Sequence, residues 1–333
     1  MITSTSPFRA HFDSHQDADP VFHMTPAQCQ AALARHPDLD GKVEITTGWN
    51  LANAADVFRS VDAFVGFRMP KEIVRAHEGP LKFIHLIGAG VEHLRPFDWV
   101  PADVVLTNNR GVHQQKASEF ILMALLLLNS RIPTLANAQA QRRWMPIFTS
   151  QAKGKTVLIV GTGHLGSAGA REARKLGFRV IGINRTGQPN PDCDETHAIG
   201  RLDALLPQAD FVVVSTPSTA QTDGMFTEAR YSLMKNGAGF VNFGRARVCD
   251  YDALAEHLRT GHLSGAVLDV FDPEPLPVES NLWNVPNLLI TPHCSSDDAD
   301  TYIPMTLDLV FSNIRRSIRA ESLLNVVDTK KEY

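Results

Sequence analysis

Thr156-Val157-Leu158-Ile159-Val160 runs without a break into Gly161-Thr162-Gly163-His164-Leu165-Gly166. An apolar run of strand length followed by G-x-G-x-x-G is the pattern of a loop that cradles a pyrophosphate. Each glycine answers a different demand. Gly161 makes the tight turn, Gly163 lets the backbone approach the phosphates, and Gly166 lets the following helix pack close to the strand. The N–H groups at Gly163, His164 and Leu165, with the helix dipole behind them, supply the positive field. The spacing predicts a dinucleotide site.

The end of the next strand selects the dinucleotide. An acid about 20 residues after the loop begins would accept a hydrogen bond from a ribose 2′-OH. Here the chain reads Val180-Ile181-Gly182-Ile183-Asn184-Arg185-Thr186-Gly187, with no acid at all. A 2′-phosphate needs cationic and hydroxyl donors and is repelled by a carboxylate. Asn184, Arg185 and Thr186 are therefore expected to favour NADP, with NAD still possible.

These motifs must be held by a scaffold, and the chain alternates apolar bursts with longer helical patterns throughout. That alternation marks βαβ units and parallel sheets. Early strand candidates are 43–47, 61–67, 81–86 and 104–107. Thr25-Pro26-Ala27-Gln28 has the residues of a capping box opening a helix. A helix is predicted over 114–129 whose string FILMALLLL is apolar on nearly every face, so it is expected to be buried all round, between two domains or two subunits. A more polar helix over 134–143 follows. Six more strands are predicted at 156–160, 179–183, 211–215, 239–242, 266–270 and 288–291, with helices at 164–176, 227–235 and 251–260. A last helix, about 298–319, follows the completed sheet.

The expected fold is α/β, with two doubly wound parallel-sheet domains. Residues 1–108 form the first. Residues 109–295 form a Rossmann domain inserted in it, and 296–333 return to the first. The length of 333 residues agrees with about two domains. A net charge of -4 shows no basic excess, so no nucleic-acid partner is expected. Cys29, Cys193, Cys249 and Cys294 lack C-x-x-C spacing, which points to reduced thiols and neither a disulfide frame nor a metal site. No apolar leader opens the chain, and the longest apolar run, 120–128, is far short of the roughly 20 residues that cross a bilayer. A cytoplasmic protein without a membrane partner is expected.

Five motifs in order resemble the D-isomer-specific 2-hydroxyacid dehydrogenases, and within them the glyoxylate/hydroxypyruvate reductase branch. They are Leu81-Lys82-Phe83-Ile84-His85-Leu86-Ile87-Gly88-Ala89-Gly90-Val91; Thr107-Asn108-Asn109-Arg110-Gly111-Val112-His113 with Ala117-Ser118-Glu119-Phe120; Val241-Asn242-Phe243-Gly244-Arg245; Leu268-Asp269-Val270-Phe271-Asp272-Pro273-Glu274-Pro275; and Leu289-Ile290-Thr291-Pro292-His293. The resemblance covers most of the chain from about residue 60 onward.

The resemblance implies a catalytic trio of Arg245, Glu274 and His293, and the chemistry asks for these types. Reducing a 2-keto acid puts hydride on the carbonyl carbon and a proton on its oxygen. Histidine is a proton donor with a suitable pKa. A nearby carboxylate favours the imidazolium. Arginine offers a planar fork to the substrate carboxylate. The resemblance also implies that Gly88, Ala89 and Gly90 present backbone N–H groups to that carboxylate. It further implies that Thr216, Pro217 and Ser218 lie by the adenosine ribose and Asp269 near the nicotinamide carboxamide. Trp144 resembles a tryptophan that reaches toward a partner subunit's substrate pocket, and the segment around it resembles an arm of a homodimer joined through the cofactor domains.

Three departures bear on the substrate: Cys294-Ser295-Ser296 after His293, Ala246 after Arg245, and the polar pair Gln115-Lys116. Cys294 is expected to pack, since hydride transfer needs no thiolate. The expected activity is NADPH-dependent reduction of small 2-keto acids to D-2-hydroxy acids. A dehydrogenase of another small acid, or a cofactor-sensing protein of the corepressor type, would use the same fold.

Overall fold

The computed structural model describes residues 6–332. The expected absence of an apolar leader rests partly on residues 1–5, which lie outside the described residues. The chain forms two compact units, residues 1–113 with 298–333, and residues 114–297.

The first unit opens with β1 (Phe8–Ser14), α1 (Pro26–Ala34), β2 (Val43–Trp49), α2 (Ala54–Ser60), β3 (Ala63–Gly66), α3 (Lys71–Arg75), β4 (Phe83–Leu86) and β5 (Val105–Asn108). The strands form a five-stranded sheet in the order β2-β1-β3-β4-β5, parallel throughout. Thr25 caps α1, and Gln28 closes the capping box that its sequence predicts. Strand β1 was not expected from the sequence, because its buried face carries His11 and Asp13. Their cost of burial is offset locally: His11 Nδ1 meets Thr46 Oγ1 at 2.8 Å, and Asp13 accepts from the Leu51 amide. In β4 the fully buried His85 bonds Thr107 and Asn109, and burial pushes its pKa down to about 4. It is a neutral core residue.

The second unit contains α4 (Gln114–Asn129), α5 (Ile132–Ala140), β6 (Thr156–Val160), α6 (His164–Lys175), β7 (Arg179–Asn184), β8 (Glu195–Ala198), α7 (Leu202–Leu205), β9 (Phe211–Val214), α8 (Glu228–Leu233), β10 (Gly239–Asn242), α9 (Tyr251–Arg259), β11 (Gly265–Leu268) and β12 (Leu288–Ile290). They build a seven-stranded parallel sheet in the order β12-β11-β10-β9-β6-β7-β8. The sequence predicted six of these strands and missed β8, an edge strand with no apolar alternation to betray it.

Helix α4 buries one face within its own unit. Phe120, Ile121, Ala124, Leu125 and Leu128 are buried against the sheet of the same unit, with Val157, Ile159 and Val241. A Cβ on Gly169 of α6 would lie 2.3 Å from Ile121 Cδ1, so the two helices meet at van der Waals distance only because that residue is glycine. The opposite face leaves Met123 and Leu126 exposed. Finally α10 (Tyr302–Ile318) belongs to the first unit, where Leu307, Val310, Phe311 and Ile314 share a core with Phe12, Cys29 and Ala32. Among the described residues no single helix is long and apolar enough to cross a membrane.

Candidate active site

The phosphate loop has the form its glycines demand. Gly161 sits at φ +103°, a left-handed conformation, and a Cβ there would lie 2.9 Å from the Ser215 carbonyl. A Cβ on Gly166 would fall 2.0 Å from the Gly161 oxygen and 2.6 Å from Ser215 Oγ. Gly163 caps the start of α6, and a Cβ there would meet nothing within 4 Å. Open space therefore adjoins Gly163 at the start of the helix. His164 is exposed and takes a hydrogen bond at Nδ1 from Gln114 Nε2 at 3.0 Å, and Leu165 is partly buried. The Oγ1 of Thr216 is buried and has no hydrogen-bond partner among the described residues. A buried hydroxyl without a partner is costly, and a ribose or phosphate oxygen would satisfy it. These features fit a dinucleotide cofactor. Pro217 follows, and Ser218 Oγ donates to Asp223 at 2.6 Å.

At the end of β7 the structure redistributes the expected roles. Asn184 Nδ2 donates to Thr162 Oγ1 at 3.2 Å and to the Gln188 carbonyl at 2.8 Å, while its Oδ1 accepts from the Thr186 and Gly187 amides. Both its amide hydrogens are committed. Asn184 braces the turn and is not the spare donor expected for a 2′-phosphate. Arg185 and Thr186 are exposed, and no hydrogen bond or ion pair holds the Arg185 side chain among the described residues. Asn190, not singled out from sequence, donates to Thr162 O at 3.2 Å and Ser167 Oγ at 2.7 Å, tying the loop after β7 to the phosphate loop.

Strands β10, β11 and β12 lie side by side, and a chemically capable side chain follows the carboxyl end of each. Open α/β sheets place ligands at such ends. His293 Nδ1 lies 2.8 Å from Glu274 Oε2, and Glu274 Oε1 accepts from the Phe271 amide at 2.7 Å. His293 has φ +50°, uncommon for a residue with a side chain, and its N–H bonds the Thr291 carbonyl at 3.0 Å. The hydrogen bond that His293 donates to Glu274 raises the His293 pKa, against burial and the Arg245 charge, which lower it. Burial opposes ionisation of Glu274, but the bonds from His293 and Phe271 and the nearby Arg245 outweigh it, and its pKa is lowered. Both shifts favour the ion-paired form, imidazolium beside carboxylate. Arg245 is partly buried, and its Nη1 donates to the Gly244 carbonyl at 2.7 Å. Arg247, its neighbour in sequence, is exposed and spent on Asp272 at 2.7 Å.

Asp269 is fully buried. It accepts from Thr291 Oγ1 at 2.6 Å, the Cys294 amide at 3.1 Å and the Ser295 amide at 3.2 Å. It clamps the loop that carries His293, a role that becomes visible only when β11 and β12 are paired. Cys294 is exposed, contrary to the expectation that it packs; burial and the charges of Asp269 and Asp297 raise its thiol pKa, so it is no activated nucleophile. Ala246 is buried. Lys116 pairs with Glu119 at 3.6 Å, and Gln115 is exposed.

Two predicted substrate contacts lie apart from this cluster in sequence. The loop Gly88-Ala89-Gly90 follows β4 in the first unit. The Gly88 and Ala89 carbonyls accept from Asn109 N at 3.2 Å and Asn108 Nδ2 at 2.7 Å. Among the described residues the amides of Gly88, Ala89 and Gly90 have no acceptor, as an anion-binding loop requires. Trp144 stands 96% exposed in a segment without regular structure, as does Phe148.

Residues 122–295 match the family model for the NAD binding domain of D-isomer specific 2-hydroxyacid dehydrogenases. A glyoxylate reductase from Thermococcus onnurineus is 32% identical over 250 residues, covering 72% of this chain and 74% of that protein. A D-isomer specific 2-hydroxyacid dehydrogenase from Xanthobacter autotrophicus, solved with NADPH and MES, superposes with a TM-score of 0.83 at 32% identity, over 98% of this chain and 100% of that one. An NADPH-dependent glyoxylate/hydroxypyruvate reductase from Sinorhizobium meliloti, solved with NADP and sulfate, superposes at 0.81 with 28% identity, over 98% of this chain and 100% of that one.

Proposed function

The chain belongs to the D-isomer specific 2-hydroxyacid dehydrogenases, NAD(P)-dependent oxidoreductases, and from that premise we propose that it reduces small 2-keto acids of the glyoxylate or hydroxypyruvate type to D-2-hydroxy acids with NADPH. The observation that carries the reading is the His293–Glu274 pair at 2.8 Å with Arg245 close enough for its charge to act on both. His293 Nδ1 is held by Glu274, which leaves Nε2–H as the proton donor to the keto oxygen. Arg245 offers two parallel N–H groups to the substrate carboxylate. Gly88, Ala89 and Gly90 of the first unit carry amides suited to an anion.

Gly161, Gly163, His164, Leu165, Gly166 and Thr216 would hold the dinucleotide, with Pro217 and Ser218 beside them. A nicotinamide cofactor, when bound, supplies the hydride. The reading is tested by following cofactor absorbance with a panel of 2-keto acids. Consumption of NADPH with glyoxylate or hydroxypyruvate supports it. Binding of NADPH without turnover of any keto acid would make the protein a sensor instead.

Cofactor choice rests on Arg185. Its exposed and unpaired guanidinium is available to a 2′-phosphate, and no carboxylate on that strand end opposes one. Exposure keeps a charge-assisted contact at the low end of its range, so NADPH is expected to be preferred over NADH by roughly 10-fold. Arg185→Ala should raise the KM for NADPH by about that factor and leave NADH use unchanged. Equal use of both cofactors by the wild type would remove Arg185 from this role.

Met123, Leu126 and Ile132 on α4 and α5 are exposed apolar side chains, as are Trp144 and Phe148 in the segment after them. A homodimer through this face of the second unit is the proposed assembly, with Trp144 serving the partner's substrate site. Leu126→Glu is expected to convert the dimer to monomer in light scattering at micromolar concentration. A wild type that is already monomeric there would refute the assembly. Neither nucleic acid nor membrane enters this reading, and its setting is the cytoplasm.

A further inference from the structure

The three functional side chains sit on three separate loops, and their mutual placement needs a physical link. Asn242, the last residue of β10, is fully buried. Its Oδ1 accepts from the Gly244 amide at 3.0 Å, and its Nδ2 donates to the Arg245 carbonyl at 3.1 Å. The same Nδ2 donates to the Tyr251 hydroxyl at 2.9 Å, with Cys249 Sγ at 3.4 Å sharing the amide hydrogens. Tyr251 opens α9, and its hydroxyl donates to the Val270 carbonyl at 2.8 Å. Its ring packs edge-on against Phe271 at 6.0 Å.

Val270 and Phe271 precede Glu274 on the segment after β11, and hydrogen bonds from this stretch reach the other two members. The amide of Phe271 holds Glu274 Oε1, and Asp269, just before Val270, clamps the 291–295 loop that bears His293. We infer that Tyr251 is a positioning residue: its hydroxyl is the strut that joins the Arg245 loop to the segment orienting Glu274 and His293. A phenol is suited to this place. It accepts one bond and donates another along the same line, on a rigid ring with no terminal rotor to order. Burial pushes its pKa well above the usual tyrosine range, so the donor to Val270 is retained at every working pH. The inference rests on the reading of Arg245, Glu274 and His293 as the reacting trio.

Loss of the strut leaves the Val270 carbonyl without its donor and the Asn242 amide with only the Arg245 carbonyl and Cys249 Sγ, and both loops gain freedom. Small displacements of oriented groups are costly in rate. Tyr251→Phe is expected to raise the KM for the keto acid about five- to tenfold and to lower kcat by a smaller factor. The dissociation constant for NADPH should not change, since the phosphate loop is untouched. As Glu274 loosens, the His293 pKa falls, and the alkaline limb of kcat/KM moves to lower pH. A loss of global stability alone would move neither the KM nor that limb. Placing 4-aminophenylalanine at position 251 keeps a donor and an acceptor there and should restore both, which also covers the case in which Tyr251→Phe folds poorly. Tyr251→Phe with wild-type KM and pH limb, whatever its melting temperature, overturns the inference. Arg245→Lys and His293→Ala are measured alongside. If they retain near-normal turnover, the trio reading fails and takes this inference with it. If they are crippled while Tyr251→Phe is normal, only the strut is refuted.

Discussion

Replacing His293 with alanine is expected to lower kcat for keto-acid reduction by at least roughly 10²-fold, the scale of a lost general acid, while NADPH binds as before. The imidazole is the only ionisable proton donor of the trio, since Glu274 is held as carboxylate and arginine stays charged. The cofactor's phosphate loop lies on β6 and α6, so binding and chemistry separate cleanly in this variant. Its pH dependence carries a sign. Reduction requires the protonated ring, and Glu274 raises the His293 pKa. Activity should therefore hold at low pH and fall as pH rises through that raised value. Glu274→Gln removes the charge and leaves burial and Arg245, both of which lower the pKa, so the fall should begin at lower pH. Each unit of displacement corresponds to about tenfold in the protonated fraction on the alkaline side. Near-normal turnover in His293→Ala, or an unmoved limb in Glu274→Gln, would exclude the pair from proton transfer.

The other large effect is expected from a single methyl group. Gly166→Ala would set a Cβ 2.0 Å from the Gly161 oxygen and 2.6 Å from Ser215 Oγ. The first is a backbone atom of the phosphate loop and cannot turn aside; the second is a side-chain atom on the segment after β9. Helix α6 must move off β6, and the N–H groups that face the pyrophosphate move with it. The affinity for NADPH should fall by roughly 10²-fold or more, because several charge-assisted bonds are lost together. Gly163→Ala is the control. Its Cβ meets no protein atom within 4 Å, so the apo fold should be unaffected and any loss must come from the cofactor's own approach. Calorimetric titration of NADPH with circular dichroism of the apo proteins separates the two. Wild-type affinity in Gly166→Ala would mean that the loop relaxes at no cost.

Much of the frame was legible in the residues. Helix α4 and strands β6 and β10 begin and end where their patterns say, because each is bounded by a local change from apolar run to glycine or polar turn. The capping box at Thr25 and the turn at Gly161 are local chemistry, set within a few residues. Strands β1 and β8 were not legible. In β1 the inward His11 and Asp13 break the apolar pattern, and their partners Thr46 and Leu51 are distant in sequence. In β8 the sequence Glu-Thr-His-Ala lies on a sheet edge, where no burial imposes alternation.

The site divides along the same line. The candidates Arg245, Glu274 and His293 came from motifs that resemble a family's, and such motifs are runs of neighbours in sequence. The phosphate loop could be read for the same reason. What the residues alone determined is thus which groups stand at the ends of strands and what each can do. Only the tertiary structure decided which groups are free to do it. It spends Asn184 on its own turn and leaves Arg185 exposed and unpaired among the described residues. It turns Asp269 toward Thr291 and the loop amides, and it brings Glu274 within 2.8 Å of His293. Those outcomes depend on strand order and register, which place residues from three loops side by side. A hydrogen bond acts over about 3 Å, and no local pattern specifies a distance that short between residues so far apart in sequence.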